Sequence, residues 1–301
     1  MHSGPVILCG MKNLLCCVCV SALLVGISLL ALAVGAQTQQ QRTLGDAQPE
    51  THAAMEAGIE SFKEGRYEDA VASFRKATQL EPDNEFAHLY LGTAYAYQVV
   101  PGLLTPKNMQ LANSALAEFD VVLKIHPIEL SAIKQEATIY RNIQRYDEAK
   151  RWEQRVITID PNDAEAFYLI GTIDWTQAYM NTVEILSIEG LKDDRMGNVK
   201  LTHGACEKMY EENAALVDDG IANLKHALEL KPNYSDAMQY LQLTYERHAD
   251  FACGDAAALN ADMKLADEWN MKARAARTVV DEPGGVMGRT CGEGRGLVFC
   301  Q

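Results

Sequence analysis

The feature that most constrains this chain is a sequence pattern that recurs five times. The clearest copy runs Gly58-x3-Phe62-x2-Gly65-x-Tyr67-x2-Ala70-x3-Phe74-x2-Ala77-x4-Pro82. Small residues alternate with aromatic ones at helical spacing, and a proline closes the unit. This is the pattern of a helix-turn-helix repeat with a period of roughly 34 residues. One such unit cannot bury its apolar face alone. It has to stack on copies of itself, and the stack creates an extended groove.

The copies follow one another along the chain. In the first, helix A is predicted over 52–64 and helix B over 67–80, with Gly65 ending helix A and Pro82 breaking helix B. The second runs from Leu91-Gly92-x2-Tyr95 to Ala115-x3-Phe119 and Pro127. The third joins Ala137-x2-Tyr140 to Tyr146-x2-Ala149 and Pro161. The fourth joins Phe167-x2-Ile170-Gly171 to Leu224-x2-Ala227 and Pro232, and the fifth joins Met238-x2-Leu241-x3-Tyr245 to Ala266 and Ala273. Proline spacing locates the irregularities. Pro127 to Pro161 is 34 residues, Pro82 to Pro127 is 45 and Pro161 to Pro232 is 71. The extra residues fall between helices A and B, at Gln98–Gln110 and at about Tyr179–Gly204, and both are read as loop. A third lengthened turn is expected at His248–Asp262. Ala205–Leu230 reads as one long amphipathic helix.

These residues resemble the tetratricopeptide repeat family over about 52–278. The resemblance implies an all-α fold, a right-handed solenoid of about five helical hairpins with insertions in the A–B turns, spanning residues 52–280. Departures from the family pattern are Gln144 where glycine is usual, Asp174 at the aromatic place with Trp175 beside it, Gly220 for alanine, and no closing proline in the fifth repeat. In this family helix A lines the concave face. Carried over by position, the groove includes Met55, Ile59, Phe62, Phe86, Leu89, Tyr97, Lys134, Arg141, Asn142, Tyr168, Trp175 and Arg247. Phe62 and Phe86 are expected to pack against neighbouring helices instead. Tyr97, Lys134, Arg141, Asn142, Tyr168, Trp175 and Arg247 are the candidate partner-binding residues, for a protein or peptide ligand. The Lys/Asn clamp with which one subgroup holds a peptide carboxylate is not present: the ninth places are Ile59, Thr93, Thr138, Thr172 and Leu243.

The ends read differently. Leu14–Val34 is apolar apart from Ser21, Gly26 and Ser28, follows Lys12, and precedes Val34-Gly35-Ala36. Residues 1–36 are expected to be a cleaved signal peptide or an uncleaved single-span anchor. Either exports the remainder to a periplasmic or secreted location, and membrane contact is expected only through 14–34 if that segment is kept. Residues 37–51 form a Gln-rich flexible spacer. Residues 281–301 are Gly-rich without apolar period and are expected to be disordered.

Charge and motifs narrow the function. The formal net charge is -14, with 41 acidic and 27 basic residues and no basic cluster. That argues against nucleic acid as a partner, because phosphate contacts need lysine and arginine. Cys206, Cys253, Cys291 and Cys300 lie beyond the export segment, where disulfides are permitted. Cys206 and Cys253 sit in A–B insertions of adjacent repeats, so a bond between them is expected. Cys291 and Cys300 then pair with each other or stay free for an intermolecular bond. His203-x2-Cys206 is half a metal site with no matching second pair, and Gly292-x-Gly294-x-Gly296 lacks the strand and helix of a phosphate loop. No nucleophile, base or metal-hydrolase motif is recognised, so no enzyme activity, metal or cofactor is assigned. Three readings remain: an exported scaffold binding a partner in its groove, a structural subunit of a membrane-tethered complex using the insertion edge, and an enzyme or metal carrier built on 179–204.

Overall fold

The computed structural model describes residues 48–280 and the segments 291–294 and 297–300, with side chains described over 48–277. The segments 1–36 and 14–34, and most of the spacer, lie outside the described residues. Ten helices follow in order: α1 (Pro49–Lys63), α2 (Tyr67–Leu80), α3 (Glu85–Ala96), α4 (Pro106–Ile125), α5 (Leu130–Asn142), α6 (Tyr146–Ile159), α7 (Ala164–Ile188), α8 (His203–Leu230), α9 (Ser235–Ala249) and α10 (Ala256–Val280). They pair as five antiparallel hairpins, and each second helix also packs on the first helix of the next hairpin. First helices touch across repeats as well, α3 with α5 and α7 with α9. The result is an all-α solenoid. Among the described residues no helix is long and apolar enough to cross a membrane.

Local chemistry starts the helices where it is expected to. Asn84, Thr105, Asp163 and Thr202 each accept a hydrogen bond from the backbone N–H three residues on, satisfying a donor the helix itself leaves free. Pro106 occupies the first turn of α4, where its missing N–H costs nothing. Between hairpin partners the packing is that of a large side chain over a glycine. A Cβ on Gly58 would lie 2.4 Å from the Phe74 ring, one on Gly92 2.7 Å from Phe119, and one on Gly171 2.6 Å from Leu224. Phe74, Phe119 and Leu224 are fully buried as a consequence.

One expectation is corrected. The insertion at Tyr179–Gly204 is mostly helical: α7 continues to Ile188, α8 begins at His203, and only 189–202 is non-helical. Ile185, Leu186, Ala205 and Met209 bury one another, with Leu191, Leu201 and Phe251 packed around them. That small core of its own makes the helical extension stable. In the tail, Cys291–Gly294 and Leu297–Cys300 pair as an antiparallel ladder, here β1 and β2, with Cys291 opposite Cys300; the rest of 281–301 lies outside the described residues. The run Leu297-Val298-Phe299 has strand propensity.

Candidate functional site

The candidate residues fall in three places. At the first A–B turn, Tyr97 forms an aromatic group with Phe62 and Tyr67. Its ring centroid lies 4.8 Å from that of Phe62 and 5.6 Å from that of Tyr67. Phe62 also meets Tyr67 edge-on at 5.3 Å, so it packs on the second helix of its own hairpin as anticipated. Tyr97 remains 43% exposed, which leaves a ring face open at this end. The nearby 98–105 loop is closed by Asn108, which is buried. Its Nδ2 donates to the Val100 and Leu103 carbonyls at 3.0 and 2.7 Å, and its Oδ1 accepts from the Val100 N–H at 2.8 Å. Asn142 contributes through its backbone, its carbonyl accepting from the Gly102 N–H at 2.8 Å.

The second place is the seam between the first helices of the later repeats. Lys134 on α5 reaches the N-terminus of α7, with Nζ 2.6 Å from Asp163 Oδ2 and 3.5 Å from Glu165 Oε2. Burial pulls the Lys134 ammonium down, but the two carboxylates win and hold it above its ordinary range. Arg141 is half-buried and its charge favours ionisation of Glu153 and Tyr168. Tyr168 and Trp175 on α7 meet α9 in a continuous aromatic run. Tyr168 lies 4.8 Å from Tyr234 and 5.7 Å from Tyr240, Trp175 lies 5.5 Å from Tyr240, and Tyr179 stacks on Trp175 at 5.3 Å. Burial pushes the hydroxyls of Tyr168 and Tyr234 up, so both stay neutral donors at any physiological pH. The indole Nε1–H of Trp175 is buried without a hydrogen-bond partner. The spacing of Trp175 and Tyr179, one helical turn apart, was the available signal for Tyr179. Tyr234 and Tyr240 enter from a different repeat, and only the stacking shows them to be neighbours.

The third place corrects an expectation. Arg247 does not line a groove: it is 2% exposed. Its guanidinium lies 2.9 Å from Asp193 Oδ1 and 3.2 Å from Asp250 Oδ2. Asn198 Nδ2 joins both acids, donating to Asp193 Oδ1 at 3.1 Å and Asp250 Oδ1 at 2.8 Å. Burial opposes ionisation of Asp193, but Arg247 outweighs it and holds that carboxyl below its usual range. Asp250, more deeply buried, is pushed up to about 7. Arg247 therefore anchors the 189–202 loop to α9, and its charge is consumed there. A buried charge needs such partners, and the loop supplies them.

The same loop is tied from the other side. Cys206 and Cys253 meet with their Cα atoms 5.6 Å apart and their sulfurs in bonding contact, across 47 residues of sequence. They flank a cavity of about 320 Å³ that Gly197, Val199, Leu201, His203 and Leu259 also line. The insertion that supplies part of this lining also exposes apolar side chains. Of fourteen exposed large apolar side chains among the described residues, seven belong to 179–210: Tyr179, Met180, Val183, Ile188, Met196, Val199 and Tyr210.

Comparison with known proteins agrees with the repeat reading. Residues 58–98 match the TPR repeat and residues 135–163 the tetratricopeptide repeat. A stretch of 109 residues is 31% identical to the DnaJ homolog subfamily C member 7 homolog of Schizosaccharomyces pombe. It covers 36% of this chain and 21% of that protein, so the chain spans about a fifth of the length of the curated relative it matches. Among solved structures, MamA 41-end from Desulfovibrio magneticus RS-1 superposes with a TM-score of 0.53 at 18% identity, covering 78% of this chain and 98% of that one. A crystal structure of MamA protein gives 0.51 at 16% identity, covering 78% and 96%. Identity at that level speaks for the fold. Two stretches in its first three repeats match tetratricopeptide-repeat models and five hairpins stack on one plan, so the chain folds as a helical-hairpin solenoid like the structures it superposes on.

Proposed function

We propose that this chain is an exported, non-enzymatic scaffold that binds a partner protein or peptide along the first helices of its repeats. The observation that carries this reading is the aromatic run Tyr234–Tyr168–Tyr240–Trp175–Tyr179, built from two repeats and partly open to solvent. Large rings held by stacking offer contact area at little entropic cost. Export rests on the apolar segment 14–34, and it is consistent with a bonded Cys206–Cys253 pair, which an oxidising compartment maintains.

A second reading uses the insertion edge, where half of the exposed large apolar side chains among the described residues gather. Patches of that kind mark interaction surfaces. The two are separated by co-purification from the native cell, comparing the intact protein with a Tyr168→Ala, Trp175→Ala variant. Loss of a stoichiometric partner from a variant that keeps its helical circular dichroism is expected for the aromatic seam. Retention of that partner by both proteins shifts the site to the insertion edge.

A further inference from the structure

Away from both surfaces, on the turns that join one repeat to the next, three chelating side chains converge. Glu85 lies in the first turn of α3, His126 caps the C-terminus of α4, and Glu129 is the N-cap of α5. His126 Nδ1 is 3.2 Å from Glu85 Oε1 and 3.5 Å from Glu129 Oε2. The three ligand atoms all lie within 4.8 Å of one another, and the residues are half-buried. Each has a local reason for its place, since acids favour helix N-termini and histidine a C-terminus. Their convergence on one point is not explained by those preferences. One imidazole nitrogen faces two carboxylates, and a single N–H can donate well to only one of them.

We propose that Glu85, His126 and Glu129 bind a divalent transition-metal ion of the zinc or cobalt type. Imidazole nitrogen with carboxylate oxygen is a donor set that such ions accept. Metal–ligand distances of about 2.0–2.2 Å place neighbouring ligand atoms roughly 3.4 Å apart in a tetrahedral shell, and the two distances to Nδ1 bracket that spacing. Glu129 is oriented in advance. Its Oε1 accepts from the Ser131 N–H at 3.2 Å, turning Oε2 toward His126. Three protein ligands leave the fourth position for water, as in open sites. The ion would tie the start of α3 to the α4–α5 turn and so clamp the second repeat to the third.

The test titrates the full chain, its free thiols alkylated, with Co²⁺ followed by visible absorption and with Zn²⁺ by calorimetry. The expected result is one saturable site per chain. His126→Ala and Glu85→Gln weaken it by at least roughly tenfold, and the metal raises the unfolding temperature of the wild type but not of these variants. Glu129→Gln, which keeps the capping oxygen, weakens it similarly and guards against loss of fold as the explanation. His203→Ala removes an exposed histidine elsewhere and leaves binding unchanged. No saturable binding by the wild type, or equal binding by wild type and His126→Ala, overturns the proposal.

Discussion

Single residues show where this chain departs from its repeat pattern and what the departure costs. The A–B turn of the first repeat uses Gly65 at φ 74°, and the matching turn of the third puts Gln144 at φ 60°. A side chain in that left-handed region is strained by about 1–2 kcal/mol, part of which glycine returns as unfolded-chain entropy. Gln144→Gly should therefore stabilise the protein by about 0.5–1 kcal/mol in denaturant unfolding, and a loss of stability would show that the Gln144 side chain has a role of its own. Asp174 is a second departure. It stands where the pattern has an aromatic, is 0% exposed, and meets Lys150 Nζ at 2.5 Å. Burial drives its carboxyl up to about 6 despite that lysine. At Gly220 a Cβ would come within 3.3 Å of the Asp174 Cβ, a contact set by the close approach of α7 and α8 that shows only when the helices are paired.

At the level of elements, the fourth repeat carries the individuality of the molecule. Its hairpin is lengthened on both helices, has its own small core, and is fastened to α9 by Arg247 with Asp193 and Asp250 and to the turn before α10 by Cys206–Cys253. A cross-link spanning 47 residues restricts the unfolded chain by up to about 4 kcal/mol through loop-closure entropy. The Cys206→Ser, Cys253→Ser variant is expected to lose stability on that order, measured under non-reducing conditions. Reductant should destabilise the wild type and leave the variant unaffected. Peptide mapping that finds both thiols free in protein from its native compartment would reject the bond. The matched topological position of the two cysteines was legible in the spacing of the repeats. The helical continuation of α7 was not, because its apolar residues acquire helical meaning only against Ala205 and Met209 on α8.

Over the whole molecule, buried carboxyls govern the response to pH. Glu136 and Glu153 are 1% and 3% exposed. Burial pushes both up to about 8, with Asp120 adding to the effect at Glu136 and Arg155 opposing it, while Arg141 and Lys134 oppose it at Glu153. Their unfolded values are about 4.3. The native state thus holds more protons than the unfolded chain between those limits. Stability is fully present below the unfolded value and is lost as pH rises through the native one. The thermal midpoint is expected to fall between pH 5 and pH 8, and the Glu136→Gln, Glu153→Gln variant to flatten that decline. An equal decline in variant and wild type would mean that other groups carry it.

The boundary between sequence and tertiary structure follows from interaction range. Helix limits such as Tyr67–Leu80, the hairpin order and the sites of insertion rest on caps, prolines and a period of a few residues, all of which act locally. Those were readable in one dimension, and so was the solenoid, because a repeat's contacts are with its immediate neighbours. The fate of Arg247 required the fold: the register places it with the groove residues, yet Asp193, 54 positions away, comes to lie beside it and neutralises it. The aromatic seam and the Glu85–His126–Glu129 cluster likewise join residues of different helices, 41 positions apart in the case of His126 and Glu85. No periodicity links such residues, and stacking of the hairpins brings them together.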